Sequence, residues 1–122
     1  MNWKGVFPAV TTKFHVDGSL DMNLFFKNLD FQLASGVHGI ILGGTLGESS
    51  VLSQEEKITL TRETVNYING RVPVILNIAE GATKDALFWA KKAEELGASG
   101  LMILPPMRYG ADPREVVTYF KT

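Results

Sequence analysis

The chain has 122 residues, 45% of them hydrophobic, a formal net charge of −1 and no cysteine. That is one domain's length, with no electrostatic case for nucleic acid or a membrane surface, and the missing thiols exclude disulfides and zinc–thiolate sites. No apolar run approaches the roughly 20 residues of a spanning helix, and Met1-Asn2-Trp3-Lys4-Gly5 lacks the apolar core of a signal peptide, so a cytoplasmic protein without nucleic-acid or membrane partners is the expectation.

Residues 5–12 read as a first strand. Over residues 21–35 apolar side chains recur at helical spacing (Leu24, Phe25, Leu29, Leu33), with Asp21 as N-cap and Gly36 as the stop. Residues 38–42 form a second strand, and the run Gly43-Gly44-Thr45-Leu46-Gly47-Glu48-Ser49 follows it. Ser53 caps the next helix, with Glu56 at the capping-box spacing, and Asn69-Gly70 ends it. Residues 72–78 are a third strand. Thr83 caps a third helix through 96, stopped by Gly97, and residues 100–104 are a fourth strand. Asp112-Pro113 opens a fourth helix with proline at its favoured first position, and the chain stops inside that helix.

The strands are short continuous apolar runs, the pattern of strands covered on both faces. They start at roughly 30-residue intervals, the length of one βα unit. Consecutive βα units with no β-only segment make a parallel sheet. Two architectures fit: an open doubly wound sheet, or the first half of a (β/α)8 barrel, which needs about 250 residues in full.

In either architecture chemistry collects where the strands end. The Gly-rich run stands there between a buried strand and a helix. Without side chains in the way, its backbone N–H groups can approach and hold a carboxylate or phosphate. Thr45 adds a hydroxyl that can donate, accept or relay a proton. Asn77, Arg108 and Tyr109 supply an amide, a guanidinium and a phenol at other strand ends. Glu48 reads as a loop staple, and Lys13 as a rim cation. His15 reads as a solvated residue before a turn, and His38 as the bottom end of a strand. Phe25, Phe26, Phe31, Phe88 and Trp89 read as packing. Two distant histidines give little for a metal site. The loop lacks both the G-x-G-x-x-G and the G-x-x-x-x-G-K-[ST] spacings of nucleotide binders, so the residues themselves point to a small anionic substrate over a parallel α/β sheet.

Several motifs together resemble the dihydrodipicolinate synthase/N-acetylneuraminate lyase family. They are Phe7-Pro8-Ala9-Val10-Thr11-Thr12, Asp17-Gly18, Gly44-Thr45-Leu46-Gly47-Glu48-Ser49, Leu52-Ser53-Gln54-Glu55-Glu56, Ala93-Glu94-Glu95-Leu96-Gly97 and Pro105-Pro106. The resemblance covers essentially the whole chain. It implies the first four βα units of a (β/α)8 barrel, with residues 1–122 as the N-terminal half of a lyase domain cut within the fourth helix. It also implies a Schiff base between a lysine and the ketone of pyruvate or a related 2-oxo acid, no metal or organic cofactor, and a homo-oligomer for the full-length protein.

On this resemblance Thr45 and Tyr109 are the catalytic residues, and Gly44, Thr45 and Leu46 bind the substrate carboxylate. Tyr109 takes the place of a relay tyrosine. The family's Schiff-base lysine and principal tyrosine belong to the sixth and fifth strands, so this chain is expected to lack the nucleophile. Leu46 stands where the motif commonly has a second hydroxyl, a loss of one hydrogen bond worth about 1 kcal/mol. A half-barrel serving as a non-catalytic binding or self-assembly module is the alternative.

Overall fold

The computed structural model describes residues 3–108 and 110–122. Three parallel strands, β1 (Ile40–Leu42), β2 (Val74–Ile78) and β3 (Gly100–Ile103), lie side by side in that order. Ile40 stands opposite Val74, and Ile75 opposite Gly100. Four helices accompany them: α1 (Met22–Ala34), α2 (Gln54–Ile68), α3 (Thr83–Glu95) and α4 (Pro113–Lys121). Each β-to-β connection passes through a helix, as parallel strands require.

The expected strand over residues 5–12 is present only as an extended segment with one parallel bridge, Ala9 opposite Ile41. Ile41 N–H donates to Pro8 O at 2.9 Å and Val10 N–H donates to Ile41 O at 3.0 Å. Pro8 offers a carbonyl but no N–H on that side, so the ladder cannot lengthen past it. Farther back the Val6 N–H turns to His38 Nδ1 at 3.1 Å, while His38 N–H donates to Val6 O at 2.8 Å.

A second departure follows this segment. Phe14 and Leu20 form an antiparallel bridge across a turn in which Gly18 N–H donates to His15 O. A small hairpin therefore interrupts the βα alternation. Its signal, Asp17-Gly18 between short apolar groups, is a hairpin turn signal.

The helix boundaries follow local chemistry. Asp21 Oδ1 accepts from Leu24 N–H, and the Ser53/Glu56 and Asp112/Glu115 pairs both complete capping boxes. Thr83 is not the cap of α3. That position belongs to Ala82, which makes no side-chain cap bond, and Thr83 is the first helical residue. Gly97 stops α3 with φ +80°.

All five residues of β2 are buried. Val74, Leu76 and Ile78 join Ile40, Leu42, Leu60, Trp89 and Ala93 in the core between sheet and helices. By alternation, Ile75 and Asn77 take the opposite face of the sheet. Phe25 and Trp89 pack as expected, at 1% and 6% exposure, whereas Phe31 is 69% exposed.

Candidate functional site

The Gly-rich loop after β1 folds as one 3-10 turn, Thr45–Gly47, entered through Gly43 and Gly44. Gly43 has φ +65°, a conformation that a Cβ would strain. Gly44 is extended in ψ with φ −72°, an ordinary conformation for any residue. Glu48 closes the turn with φ +56°, its N–H donating to Thr45 O at 3.1 Å.

Two buried side chains hold the loop by its carbonyls. Asn77 Nδ2 donates to Gly43 O at 2.8 Å, and Thr12 Oγ1 donates to Gly47 O at 2.6 Å. The remaining amide atom, Asn77 Oδ1, is enclosed without a hydrogen-bond partner among the described residues. Within the turn Gly47 N–H donates to Gly44 O at 2.9 Å. Among the described residues, the N–H groups of Gly44, Thr45 and Leu46 meet no protein acceptor. The loop thus presents these donors while the carbonyls of Gly43, Gly44, Thr45 and Gly47 accept hydrogen bonds.

Thr45 borders a cavity of about 680 Å3 that also takes in Ser49, Lys57, Asn77, Glu80 and Trp89. Lys57 is 7% exposed, unusual for a lysine. Its ammonium lies 3.1 Å from Glu80 Oε1 and 4.6 Å from the Trp89 ring centroid, so an anion and an aromatic face compensate its burial. Tyr119 borders a separate cavity, donating to Leu104 O at 3.2 Å, and burial followed by the Glu80 charge pushes its phenol above the usual range.

The expected Gly44, Thr45 and Leu46 thus stand on one turn. Gly44 is buried, Thr45 is exposed beside the cavity, and the Leu46 side chain is 68% exposed. Tyr109 lies outside the described residues. Arg108 is exposed and borders a separate cavity with Pro105, Pro106 and Tyr119. His15 is exposed, as expected, with its Nδ1 3.6 Å from Asp21 Oδ2.

Sequence reading missed Lys57, Glu80 and Thr12 as partners of the loop region. Lys57 carried one signal: it falls on the α2 face of Leu60, Thr61 and Thr64, all buried. No three His, Cys, Asp or Glu side chains among the described residues come close enough together to share a metal ion.

A three-stranded parallel sheet whose connections run through helices, with a glycine loop at the end of its first strand, defines an α/β domain. The chain belongs to the dihydrodipicolinate synthetase family, whose model matches residues 2–122. It is 37% identical over 121 residues to 4-hydroxy-tetrahydrodipicolinate synthase of Bacillus subtilis, covering 99% of this chain and 42% of that protein. It is 32% identical to a probable 2-dehydro-3-deoxy-D-pentonate aldolase of Escherichia coli, covering 98% and 40%.

Its fold matches the crystal structure of dihydrodipicolinate synthase DapA-2 of Bacillus anthracis with a TM-score of 0.95 at 30% identity, over 99% of this chain and 41% of that one. It also matches YagE, an Escherichia coli prophage protein solved in complex with pyruvate, with a TM-score of 0.92 at 27% identity, over 98% and 40%. The chain spans about two fifths of the length of these relatives. No helix among the described residues is long and apolar enough to cross a membrane.

Proposed function

We propose that this chain is the N-terminal part of a Schiff-base-forming lyase or aldolase acting on pyruvate or a related 2-oxo acid, and that its contribution is the carboxylate cradle. The observation that carries the reading is the set of Gly44, Thr45 and Leu46 N–H groups without an acceptor among the described residues, on a loop where the Gly43, Gly44, Thr45 and Gly47 carbonyls are engaged. Family membership and a pyruvate-bound structural relative support it.

In this reading the backbone amides bind the substrate carboxylate, and hydrogen bonds to an anion are the strong kind. The Thr45 hydroxyl completes the cradle and passes protons toward a phenol, the role of Tyr109. The imine nitrogen comes from a lysine on a later strand of the barrel. The isolated chain therefore turns over no substrate, needs no metal or organic cofactor, and works within a cytoplasmic homo-oligomer when the barrel is whole.

The test is intact-mass spectrometry of the purified chain after pyruvate and borohydride. An unmodified mass is expected. A single reduced adduct mapped to one lysine would show that this part carries its own nucleophile, and would overturn the assignment.

A second reading rests on a separate observation. β3 is the end strand of the described sheet, its own Leu101 is 37% exposed, and Val117 and Phe120 of α4 are exposed at 51% and 54%. Unpaired strand edges with apolar neighbours promote association, which fits a half-barrel that assembles with a second copy. Sedimentation separates the two: a discrete dimer favours self-assembly, and a monomer removes it.

A further inference from the structure

We propose that Thr12 and Asn77 are positioning residues that pre-organise loop 43–47 for an anion, one at each end. The functional half of this inference rests on the carboxylate reading above. Their sequence separations from the loop, 35 residues for Thr12 to Gly47 and 34 for Asn77 to Gly43, make both contacts purely tertiary. The two donors come from the segments on either side of β1: Thr12 from the extended segment, Asn77 from β2. Loop 43–47 is suspended between them.

The chemistry of Asn77 marks it as more than a filler. Its strand is otherwise apolar (Val74, Ile75, Leu76, Ile78), and every position is buried. An amide placed there must satisfy its polar atoms, and Oδ1 is enclosed with no partner among the described residues. A leucine of similar size would avoid that penalty. What the amide does in return is donate to the Gly43 carbonyl. Gly43 is the residue whose backbone would relax most readily without a tether.

Thr12 does the same at the other end. It is 6% exposed, and its hydroxyl takes the Gly47 carbonyl at a position where an added Cβ would stand 3.1 Å from Val10 O. Both tethered groups are carbonyls, the atoms that would repel an anion. Holding them fixed leaves the donors of Gly44, Thr45 and Leu46 available and spares the loop reorganisation when a carboxylate arrives.

Amide hydrogen exchange of the 122-residue chain tests this at Gly47 and Glu48, whose N–H groups close the turn on Gly44 O and Thr45 O. In Asn77→Leu and in Thr12→Val these two amides should exchange about five- to tenfold faster, the effect of losing one hydrogen bond, while α2 amides keep their protection. Thr12→Ser, which keeps the hydroxyl, should restore the slow rate. Wild-type rates at Gly47 and Glu48 in both variants would overturn the inference.

Should Asn77→Leu lose α2 protection as well, the Thr12→Val and Thr12→Ser pair decides alone, because it changes one methyl and one hydroxyl. Pyruvate titration followed on the same amides reads the functional half, with weaker binding expected in Thr12→Val than in Thr12→Ser. If the wild-type chain shows no pyruvate response, the carboxylate reading fails, while the exchange rates still judge the tethers.

Discussion

The Lys57 ammonium lies 3.1 Å from the Glu80 carboxylate, tying the first turn of α2 to the loop that leaves β2. The side chains are 9% and 23% exposed, so little water screens them, and the Trp89 ring covers the cation. Lys57→Met should lower stability by about 2 kcal/mol, because it leaves a half-buried carboxylate without its partner. Adding Glu80→Gln should recover part of that loss. Urea unfolding of the two singles and the double checks it, and strictly additive changes would mean the pair does not interact.

The two glycines that open the loop should respond differently to alanine. Gly43→Ala forces an alanine to φ +65° and should destabilise by about 1–2 kcal/mol. Gly44→Ala meets only Ala9 Cβ, at 3.6 Å, in an ordinary conformation, and should leave stability within about 1 kcal/mol of wild type. Thermal denaturation of both variants gives the comparison. Equal losses would remove the conformational argument for Gly43.

Tyr67 joins α1 to α2. Its hydroxyl donates to Asp30 Oδ2 at 2.7 Å, and its ring stacks on Phe26 with centroids 4.2 Å apart. The hydrogen bond to Asp30, then burial and the Asp30 charge, hold the phenol above its usual range. A raised folded value means that this contribution is complete below the unfolded tyrosine value of about 10, and is lost as pH rises through the folded value. Stability should therefore fall on the alkaline side. Tyr67→Phe should reduce that fall while keeping the stack, with Tyr119 supplying the remainder. An alkaline limb of unchanged size in Tyr67→Phe would remove Tyr67 as its source.

The cap of α2 makes an acid-side counterpart. Glu56 is held below the ordinary carboxylate range by the Ser53 backbone N–H and then the Ser53 hydroxyl. A depressed folded value gives stability that is present above the unfolded glutamate value and lost as pH falls through the folded one. Glu56→Gln should flatten that acid limb. Ser53→Ala should cost about 1 kcal/mol at neutral pH, the usual worth of such a cap. Urea midpoints across the acid range for the two variants test both statements.

In a completed barrel, Thr45→Val should weaken turnover and 2-oxo-acid affinity, since the hydroxyl is lost while the shape stays. Steady-state kinetics with pyruvate provide the measurement. Unchanged kcat and KM would take Thr45 out of the site.

Ser53 with Glu56, Asp112 before Pro113, and Gly97 after α3 were legible in the sequence, because each acts through hydrogen bonds or backbone preferences within a few residues. The glycine loop with Thr45 at its apex was legible for the same reason, as was the parallel order of the strands, which short apolar runs between helices require. Pro8 could have been read as stopping the first ladder, but only the position of Ile41 shows which side of the segment needed the missing N–H.

What the sequence by itself determined is the local grammar: the caps of α1, α2 and α4, the stop of α3, and that a glycine-rich loop follows β1. The tertiary structure alone decided that Asn77 and Thr12 hold that loop, that Lys57 is buried against Glu80 and Trp89, and that Phe31 is left outside. These pairings join residues far apart in the chain. Whether a buried polar atom finds its partner depends on strand register and helix placement, which no short window of sequence contains.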